Sequence, residues 1–484
     1  MFAEHFSTAD KQQWIEQVRK DLKDPAAYET LRWSTPEGFT LEPYYTADDL
    51  ATLPLTDLQA AQRQVPGWLN APERTVSDEK TDNPALRDAL SRGADALVLS
   101  WSTTRESATT RSDATRSDAT RSDGTSDRFS VPDIRSDVPS DLARLLNGIK
   151  LSDTPVFFRR HDEVAAFTSA LRQVAPYQLK GGLLTDPLAH WATTGEPYAD
   201  TLNDIVEATR QTTDSPQFRT ITASSHAFHN AGATASQELA FLFASLADQY
   251  DFLTDSGLTV DAIFPKTLLS VSVGTSYFVE IAKLRAIRVL WQRFSTAYGQ
   301  PPAPCPLLHA QTSTFYDAVA TPYTNLLRAT TEAMGAVIGG CDVLTVHPYD
   351  TVLEAPSEFS ERIARNVSVL LKEESYFDKV ADPSAGSYYV EILTHQLVEA
   401  AWALFLHVET MGGFVKAFEQ GFIQSEIDRS YLAKVEAVRA GKVLVGVTKF
   451  RHDEQSAVRN TAASESKSEL QNRLPDRRLA LPFE

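Results

Sequence analysis

Cysteine is scarce in this chain of 484 residues, which contains Cys305 and Cys341 and no CxxC spacing. Two thiols this far apart do not form a disulfide framework or a cysteine-rich metal site, so we predict reduced thiols, no metal centre and a cytoplasmic protein. Long apolar runs are also missing, and the N-terminal segment carries His, Asp, Lys and Glu. We therefore predict neither a membrane span, which needs about 18 apolar residues, nor a secretion signal.

Basic side chains are outnumbered, since 46 Lys and Arg stand against 64 Asp and Glu for a formal net charge of −18. This balance disfavours nucleic acid and anionic membranes as partners and favours solubility. The apolar fraction of 42% is nevertheless ordinary for a protein with a substantial core. The chain is long enough for one large barrel or for two ordinary domains.

One segment has low complexity. Arg-Ser-Asp recurs at 111–113, 116–118 and 121–123 and returns at 135–137. Because each arginine is matched by an aspartate, the repeat is nearly neutral and does not favour RNA binding. With almost no apolar residue it cannot build a core, so we predict a disordered insertion over 105–140.

Short apolar runs alternate with amphipathic helical patterns along most of the chain. Predicted strands cover 94–101, 154–159, 177–184, 218–224, 267–273, 306–311 and 342–347, with an eighth expected within 380–391. Predicted helices cover 8–23, 234–253, 275–297, 320–337 and 393–411. Repeated β-α units predict an α/β protein with a parallel sheet covered by helices, and their number favours a (β/α)8 TIM-type barrel over an open sheet.

The two ends of the chain differ from this pattern. Residues 1–50 combine a helix with a segment rich in proline and aromatics, which predicts an N-terminal helical and extended arm. We assign the barrel to 51–450 and a short polar C-terminal tail to 451–484. Whether the centre of the barrel is open or plugged by side chains is left open at this stage.

Several stretches resemble the barrel of the methylmalonyl-CoA mutase family. They are the arm TPEGFTLEPYYTADDL (35–50), SSHAFHNAGATASQE (224–238), YFVEIAKLRAIRVLW (277–291), HAQTS (309–313) and FSERIARNVSVLLKEESYFDKVADPSAGSYYVE (359–391). The resemblance implies a barrel that holds an acyl-CoA along its axis and a separate C-terminal domain that brings adenosylcobalamin to the barrel mouth. It also implies a radical rearrangement of methylmalonyl-CoA to succinyl-CoA, and the family includes αβ heterodimers whose smaller subunit is inactive.

The residues that the resemblance assigns to catalysis are replaced in this chain. His226 and Ala227 stand where active members carry a Tyr-His pair, Leu184 stands on a substrate-binding glutamine, and Thr194 stands on an arginine. The alternatives are a slipped alignment or a histidine shifted to His229. No tyrosine occurs between Tyr45 and Tyr177, where the family has its catalytic tyrosine. We therefore assign no catalytic residue to this chain.

Candidate CoA-binding residues are partly retained. Lys266 replaces an arginine of the family, while Gln311 and Ser313 remain within the HAQTS motif. Gln311 is expected to hold barrel groups rather than CoA, and an acidic Asp342 facing phosphates would repel them. We keep Lys266, Gln311 and Ser313 as the candidate substrate-binding set.

A cofactor is not expected on this chain. The family ligates cobalamin through an Asp-x-His-x-x-Gly loop, which is absent from the sequence, and the chain stops where active members continue into the cobalamin domain. His395 and Glu399 lie four residues apart on a predicted helix, which is typical of an exposed pair rather than a metal site. Adenosylcobalamin is therefore expected in a partner subunit.

Three functions fit these observations. The leading hypothesis is a small, structural, non-catalytic subunit of a heterodimeric methylmalonyl-CoA mutase, docked on a large catalytic subunit. The second is an active acyl-CoA mutase barrel that works with a separate cobalamin-binding subunit. The third is a stand-alone acyl-CoA-binding barrel.

Overall fold

The computed structural model describes residues 10–101, 138–301, 305–451 and 472–484. The α-helices in these ranges are α1 (Lys11–Asp21), α2 (Ala47–Leu50), α3 (Leu55–Ala60), α4 (Glu79–Ser91), α5 (Val138–Leu145), α6 (Val164–Val174), α7 (Pro187–Thr194), α8 (Ala199–Gln211), α9 (His226–Ala231), α10 (Ala235–Asp255), α11 (Val260–Ile263), α12 (Tyr277–Ala297), α13 (Pro322–Ile338), α14 (Glu358–Glu373), α15 (Tyr388–Thr410), α16 (Phe414–Glu419) and α17 (Phe422–Arg439). Short 3-10 helices cover Pro25–Leu31, Phe264–Lys266, Phe377–Lys379 and Leu481–Phe483.

The strands are shorter than the helices. They are β1 (Trp33–Ser34), β2 (Thr40–Leu41), β3 (Leu69–Asn70), β4 (Glu73–Val76), β5 (Leu97–Trp101), β6 (Val156–Arg159), β7 (Lys180–Leu183), β8 (Gln217–Arg219), β9 (Ile221–Ser224), β10 (Thr267–Val273), β11 (Leu307–Thr312) and β12 (Val343–Thr345). Four of the strands predicted between 94 and 347 are present but shorter, the one over 267–273 has the predicted bounds, and the one over 306–311 is shifted by one residue. The strand predicted over 218–224 is divided at Thr220 into β8 and β9, which belong to different sheets. The predicted insertion at 105–140 falls outside the described residues except for 138–140, which are not disordered but begin α5.

Apart from the antiparallel pair of β1 and β2, the strands form two five-stranded parallel sheets. Their orders are β3-β12-β11-β10-β9 and β4-β5-β6-β7-β8. The chain passes between the sheets at both edges, because only Ala71 and Pro72 separate β3 from β4 and only Thr220 separates β8 from β9. Main-chain hydrogen bonds continue across one junction, from Ala71 N to Leu344 O (2.9 Å) and from Val98 N to Pro72 O (3.1 Å). This mixed α/β structure with parallel sheets fits a TIM-type fold.

The prediction of a strand within 380–391 is wrong. This segment is a loop that enters α15 at Tyr388, where the Ser387 hydroxyl caps the helix by accepting a hydrogen bond from Val390 N. Tyrosine and valine favour strands, but here the cap and core packing place them in the first turn of a helix. The remaining strand lies instead before β5, in the two short pieces β3 and β4.

Glycine allows β7 to lie between its neighbours. Gly181 has φ of +108°, and a Cβ on it would lie 2.0 Å from the Val156 carbonyl oxygen of β6. On the other side, a Cβ on Gly182 would lie 2.5 Å from the Arg219 carbonyl oxygen. A larger residue at either position would push the strands apart, which explains the Gly-Gly pair inside an otherwise apolar run.

Side chains alternate along the strands between two cores. The outward residues of β10, β11 and β12, such as Leu269, Leu308 and Leu344, pack against the surrounding helices. The inward residues pack across the space between the two sheets, where Val98, Phe157, Leu184, Leu268 and Val343 form one buried apolar cluster with Ala71 and Ala96. Its members lie toward the amino ends of the strands, except Leu184, which follows the carboxyl end of β7. The inward residues closer to the carboxyl ends of the strands are polar.

The N-terminal segment is anchored on the helices. The Glu37 carboxylate accepts hydrogen bonds from Ala235 N (2.9 Å) and Ser236 N (2.8 Å) at the start of α10. A carboxylate at a helix N-terminus satisfies free amides and interacts favourably with the helix dipole. Helix α1 has no buried residue, although Trp14 contacts the Tyr44 ring at 4.9 Å. Of the helices described, none has the length and hydropathy needed to span a membrane.

Residues 472–484 cross the carboxyl-terminal side of the strands. The segment is tied down by main-chain hydrogen bonds from Leu474 N to Ala192 O (2.7 Å), from Arg477 N to Asn230 O (2.9 Å) and from Leu479 N to Phe315 O (2.8 Å). Leu474, Leu479 and Ala480 are buried. This part of the predicted polar tail is therefore packed against the protein.

Candidate functional site

A cavity of about 480 Å³ opens at the carboxyl ends of β6, β7 and β9. It is lined by Arg159, His161, Leu184, Asp186, Ala189, His190, Thr193, Ser224, His226, Ala227, Asn230 and residues 473–476. Functional sites of TIM-type proteins lie at this end of the strands, because the loops that follow the strands meet there. The cavity is therefore the candidate functional site.

Asp186 fixes the floor of this cavity. Its buried carboxylate accepts hydrogen bonds from Leu188 N (3.1 Å) and Ala189 N (3.0 Å) at the start of α7, and from Ser224 N (2.7 Å) at the end of β9. Burial raises the pKa of Asp186 to about 7, although the three amides act in the opposite direction. The residue joins two neighbouring β-α corners, which is a structural task.

His226 is held by two serine side chains of β10. Its Nδ1 lies 2.8 Å from Ser272 Oγ and its Nε2 lies 2.7 Å from Ser270 Oγ. Ser270 Oγ also lies 2.7 Å from His309 Nδ1, and His309 Nε2 lies 2.9 Å from Thr345 Oγ1. These contacts make a chain of hydrogen bonds, here named the interior chain, that crosses the space between the sheets.

The direction of the interior chain follows from its last member. Thr345 donates to the Ala71 carbonyl (2.7 Å), so it must accept from His309 Nε2–H. His309 Nδ1 then accepts from Ser270, Ser270 accepts from His226 Nε2–H, and His226 Nδ1 accepts from Ser272. Both imidazoles are neutral in this arrangement. In agreement, burial lowers the pKa of His309 to about 3 and that of His226 well below its usual value.

Arg159 lies above the interior chain at the end of β6. Its Nε lies 3.1 Å from Glu73 Oε1, and its Nη2 donates to Gln311 Oε1 at 3.0 Å. Burial would raise the pKa of Glu73. The Arg159 guanidinium and His347 act in the opposite direction and together hold that pKa below its usual range. Arg159 therefore ties β6 to β4 and β11 across the interior.

A second buried polar group lies behind α9. His229 Nδ1 lies 2.7 Å from Glu238 Oε1, and its Nε2 lies 2.6 Å from Ser313 Oγ. The buried Lys283 ammonium contacts both Glu238 (3.0 Å) and Glu280 (2.7 Å). Burial would raise the pKa of Glu238, but Lys283 and His229 lower it. We name this group the Lys283 network; it joins α9, α10 and α12.

His161 and His190 stack at the wall of the cavity, with ring centroids 4.2 Å apart and planes within 8°. Burial and the neighbouring His190 lower the pKa of His161 to about 3, so its ring is neutral at pH 7. His190 Nε2 lies 3.0 Å from the exposed Glu196 carboxylate. Together with Arg473 and Asn230, these rings give the cavity a polar wall but no geometry of a nucleophile beside a base.

The structure brings some of the sequence-predicted residues together. Leu184 and Ala227 both line the cavity, as does His226. Thr194 does not, because it ends α7 with its hydroxyl donating to the His190 carbonyl (2.8 Å). The methyl of Ala227 and the side chain of Leu184 present only apolar surface to the cavity. His229 is buried, and both of its ring nitrogens have partners.

The candidate CoA-binding residues are engaged within the protein and do not form one group. Lys266 Nζ is buried and donates to the carbonyls of Thr212 (2.6 Å), Ser215 (2.8 Å) and Phe218 (3.2 Å). Gln311 bonds Arg159, which matches the expectation that it holds barrel groups. Ser313 belongs to the Lys283 network through His229.

Asp342 is compensated by two arginines. Its carboxylate lies 3.3 Å from Arg63 Nε and 3.4 Å from Arg288 Nη2, and it accepts from Leu308 N at 2.9 Å. These contacts lie at the amino end of β12, opposite the candidate site. The predicted pair at 395 and 399 is also a helix-surface contact, with His395 and Glu399 3.9 Å apart.

Sequence reasoning did not single out Arg159, Ser270, Ser272, Glu238 or Lys283. For the serines a signal exists, because TLLSVSV places small polar residues at alternate positions of an apolar strand. Arg159 ends the apolar run TPVFFR, where a charge at the carboxyl end of a strand marks the site end of the fold. Glu238 and Lys283 carry no comparable pattern.

The comparisons with known proteins agree with the resemblance. Residues 34–478 match the family described as methylmalonyl-CoA mutase. The methylmalonyl-CoA mutase small subunit of Porphyromonas gingivalis (strain ATCC BAA-308 / W83) is 32% identical over 469 residues, which cover 93% of this chain and 71% of that protein. The small subunit of Streptomyces virginiae is 31% identical over 471 residues, with the same two coverages.

A relative without the small-subunit name is equally similar. The methylmalonyl-CoA mutase of Cereibacter sphaeroides is 32% identical over 471 residues, covering 92% of this chain and 65% of that protein. Among solved structures, 7,8-dihydropteroate synthase from Vibrio fischeri ES114 matches with a TM-score of 0.30 and 13% identity over 63% of this chain and 93% of that chain, too weakly to bear on the fold. The family match over most of the chain and the two small-subunit relatives agree: this chain belongs to the methylmalonyl-CoA mutase family.

Proposed function

We propose that this chain is the structural, non-catalytic small subunit of a heterodimeric methylmalonyl-CoA mutase. Its strands would close into a (β/α)8 barrel over 51–450, between an N-terminal arm (1–50) and a C-terminal tail (451–484). The names of the two small-subunit relatives imply a larger partner, and we place substrate turnover and adenosylcobalamin in that partner. We expect the assembly to be cytoplasmic.

The packed apolar cluster between the sheets is the observation that carries this proposal. In the family, the resemblance implies that an acyl-CoA lies along the barrel axis. Here Phe157 and Leu268 are at most 1% exposed and pack in the interior with Leu184, which is 3% exposed. A pantetheine chain in this position would have to displace a close-packed apolar cluster, which protein interiors resist.

The groups at the strand ends support the same conclusion. Both ring nitrogens of His226 are bound by serines, so the imidazole has no free nitrogen for proton transfer in this arrangement. Ala227 offers a methyl group where an oxyanion donor would be required. Thr194 is turned to its own helix rather than toward the cavity.

In our proposal this chain does not ligate cobalamin. The full sequence contains no Asp-x-His-x-x-Gly, and the imidazoles of His226 and His229 are each bound at both nitrogens by neighbouring side chains. In the part of the chain that the structure covers, no group of three metal-ligating side chains converges. We therefore derive no reaction step on this chain.

Co-expression with the large subunit from the same source tests the proposal. We expect a 1:1 complex on gel filtration, mutase activity from the complex, and no turnover from this chain when the large subunit is absent. A mixture that fails to associate would contradict it. Turnover by this chain with only a separate cobalamin-binding subunit would instead favour the split-mutase alternative.

Calorimetry on the isolated chain tests the remaining alternative, an acyl-CoA-binding barrel. We expect no binding of methylmalonyl-CoA or succinyl-CoA, because Lys266, Gln311 and Ser313 already have partners inside the protein. If binding is found, the variant Lys266→Met decides whether this predicted residue takes part. Binding of either thioester by the isolated wild-type chain would contradict a purely structural role.

A further inference from the structure

A second cavity, of about 490 Å³, lies outside the sheets between α4 and α14. Helix α4 packs on α5 and helix α14 packs on α13, and the cavity occupies the space between the two outer helices. Its apolar lining includes Pro84 and Ala85 from α4, Ala364 from α14, and Pro348 and Pro356 from the loop before α14. We name this cavity the α4–α14 groove.

Ion pairs of Arg74 connect the two walls of the groove. Arg74 contacts Asp82 of α4 (2.7 Å) and Glu361 of α14 (2.9 Å). Outside the lining, Lys372 of α14 contacts Asp95 at 3.1 Å. Charge pairs therefore connect α14 to α4 and to the segment that follows α4.

Arg365 lies on α14 between Glu361 and Lys372. It is four residues after Glu361 on α14, so it projects from the same face of the helix. The residue is only 9% exposed and lines the groove, yet its Nε makes no hydrogen bond. Within the described ranges, no carboxylate forms an ion pair with its guanidinium.

This lack of a partner sets Arg365 apart from other buried cations of the protein. Arg285 is bound by Asp382 and Glu391, and Lys283 is bound by Glu238 and Glu280. A buried charge is costly unless it is paired, and arginine stays protonated rather than becoming neutral. An oxyanion in the groove would supply the missing partner.

The charges at the rim leave the groove with free positive groups. Asp88 is paired with Arg92 (2.7 Å), and Glu361 is paired with Arg74. Arg362 stacks over the Phe359 ring at 5.2 Å and makes no ion pair among the described residues. The exposed Glu358 is the one lining carboxylate near these arginines for which the described residues provide no cation.

We propose that the α4–α14 groove binds a small oxyanion, the phosphate or carboxylate group of a small molecule, on the guanidinium of Arg365. The planar fork of arginine matches two oxygens of such a group. Arg362 would assist at the rim, and an apolar body would lie against Pro84, Pro348 and Pro356. This site is separate from the cavity at the strand ends and does not depend on the subunit role.

Titration with inorganic phosphate at constant ionic strength tests the proposal. We expect saturable binding by calorimetry and a saturable rise of the thermal midpoint in the wild type. In Arg365→Met the dissociation constant should increase roughly tenfold to a hundredfold, the usual effect of losing a charged hydrogen bond. Because phosphate also stabilises proteins without binding, the response of Arg365→Met serves as the baseline.

Three further samples make the result specific. Arg365→Lys keeps the charge without the fork and should bind at intermediate affinity, whereas Ala85→Phe should block the groove with Arg365 intact. Arg439→Met removes an exposed arginine of α17 and should bind as the wild type does. Acetate and malonate in place of phosphate show whether the preferred group is a carboxylate.

The outcomes separate clearly. Binding of phosphate, acetate or malonate that is lost in both Arg365→Met and Ala85→Phe supports the proposal. The probe that binds identifies whether the preferred group is a phosphate or a carboxylate. Wild type and both variants responding equally to every probe, or no saturable response in the wild type at any concentration used, overturns it. Circular dichroism checks that each variant is folded. If Arg365→Met does not fold, Ala85→Phe still tests the proposal.

Discussion

Two buried cations in this protein are treated in opposite ways. The Lys283 ammonium is 0% exposed and lies between the carboxylates of Glu238 and Glu280. The Arg365 side chain lines the α4–α14 groove with little exposure, but among the described residues it has no carboxylate partner. The first is locked into the packing of α9, α10 and α12, and the second points into a groove.

This difference shows which buried polar groups have partners within the protein. Toward the carboxyl ends of the strands, the polar side chains of the interior chain and of the Lys283 network bind one another. A polar group that already has its partners is stabilising but cannot serve a ligand without first being released. The groove between α4 and α14 is the region where a buried charge is left for something else.

Removing the paired cation gives the largest expected effect. Lys283→Met would leave Glu238 and Glu280 buried beside each other without a counter-charge. We expect the free energy of unfolding in urea to fall by about 3–5 kcal/mol. This is the usual result of removing one partner of a buried ion pair. The matched control is Lys379→Met, since Lys379 is exposed; an equal loss in both variants would contradict a special role for the network.

The interior chain is the next target. Ser270→Ala would leave His226 Nε2–H without an acceptor and His309 Nδ1 without a donor. Each of these two orphaned groups costs about 1–3 kcal/mol, so we expect the free energy of unfolding in urea to fall by about 2–6 kcal/mol. Ser425→Ala removes an exposed helix hydroxyl and should change stability by less than about 0.5 kcal/mol. Similar values for the two variants would mean that the chain contributes nothing.

The interior chain also predicts how stability depends on pH. Because burial lowers the pKa of His226 and His309 below 6.5 in the folded state, the unfolded state binds more protons between pH 6.5 and the folded pKa values. The contribution of the two neutral imidazoles to the free energy of unfolding should be fully present above pH 6.5. Below that pH it should fall by about 1.4 kcal/mol per pH unit for each imidazole.

The variant His309→Gln isolates one imidazole in that dependence. The free energy of unfolding, measured in urea between pH 6.5 and 5, should fall less steeply than in the wild type, by about 1.4 kcal/mol per pH unit. The comparison uses slopes, so a uniform loss of stability in the variant does not affect it. Parallel slopes in the two proteins would show that His309 is not neutral in the folded state, or that it is free to protonate.

Much of the fold could be predicted from the sequence, because apolar runs and helical spacing report local structure directly. The strand over 267–273 was placed to the residue, and the helices α10, α12 and α13 within two residues at either end. The strand expected within 380–391 is wrong, since intrinsic preferences of Tyr and Val were overridden by a capped helix. The pieces β3 and β4 are too short to give a periodic signal.

The site was predictable in part. The replacements expected at Leu184 and Ala227 follow from one sequence once a family resemblance is recognised, and both residues line the cavity. The partners of His226 and Lys266 were not visible, because hydrogen bonds between residues dozens of positions apart depend on how the strands pair. Thr194 was aligned with a substrate-binding arginine, yet it lies outside the cavity lining because α7 ends there.

The smallest expected effect completes the comparison of the two cations. Arg365→Met keeps the apolar stem and removes a buried charge that has no ion-pair partner among the described residues, so no carboxylate is left uncompensated. We expect the free energy of unfolding in urea to lie within about 1 kcal/mol of the wild-type value. A small gain and a small loss both agree with this prediction. The experiment is run beside Lys283→Met under identical conditions without phosphate or other added oxyanions, so the two buried cations differ only in their partners. A loss for Arg365→Met as large as that for Lys283→Met would show that Arg365 is already paired within the protein, and the groove would then have no free cation to offer.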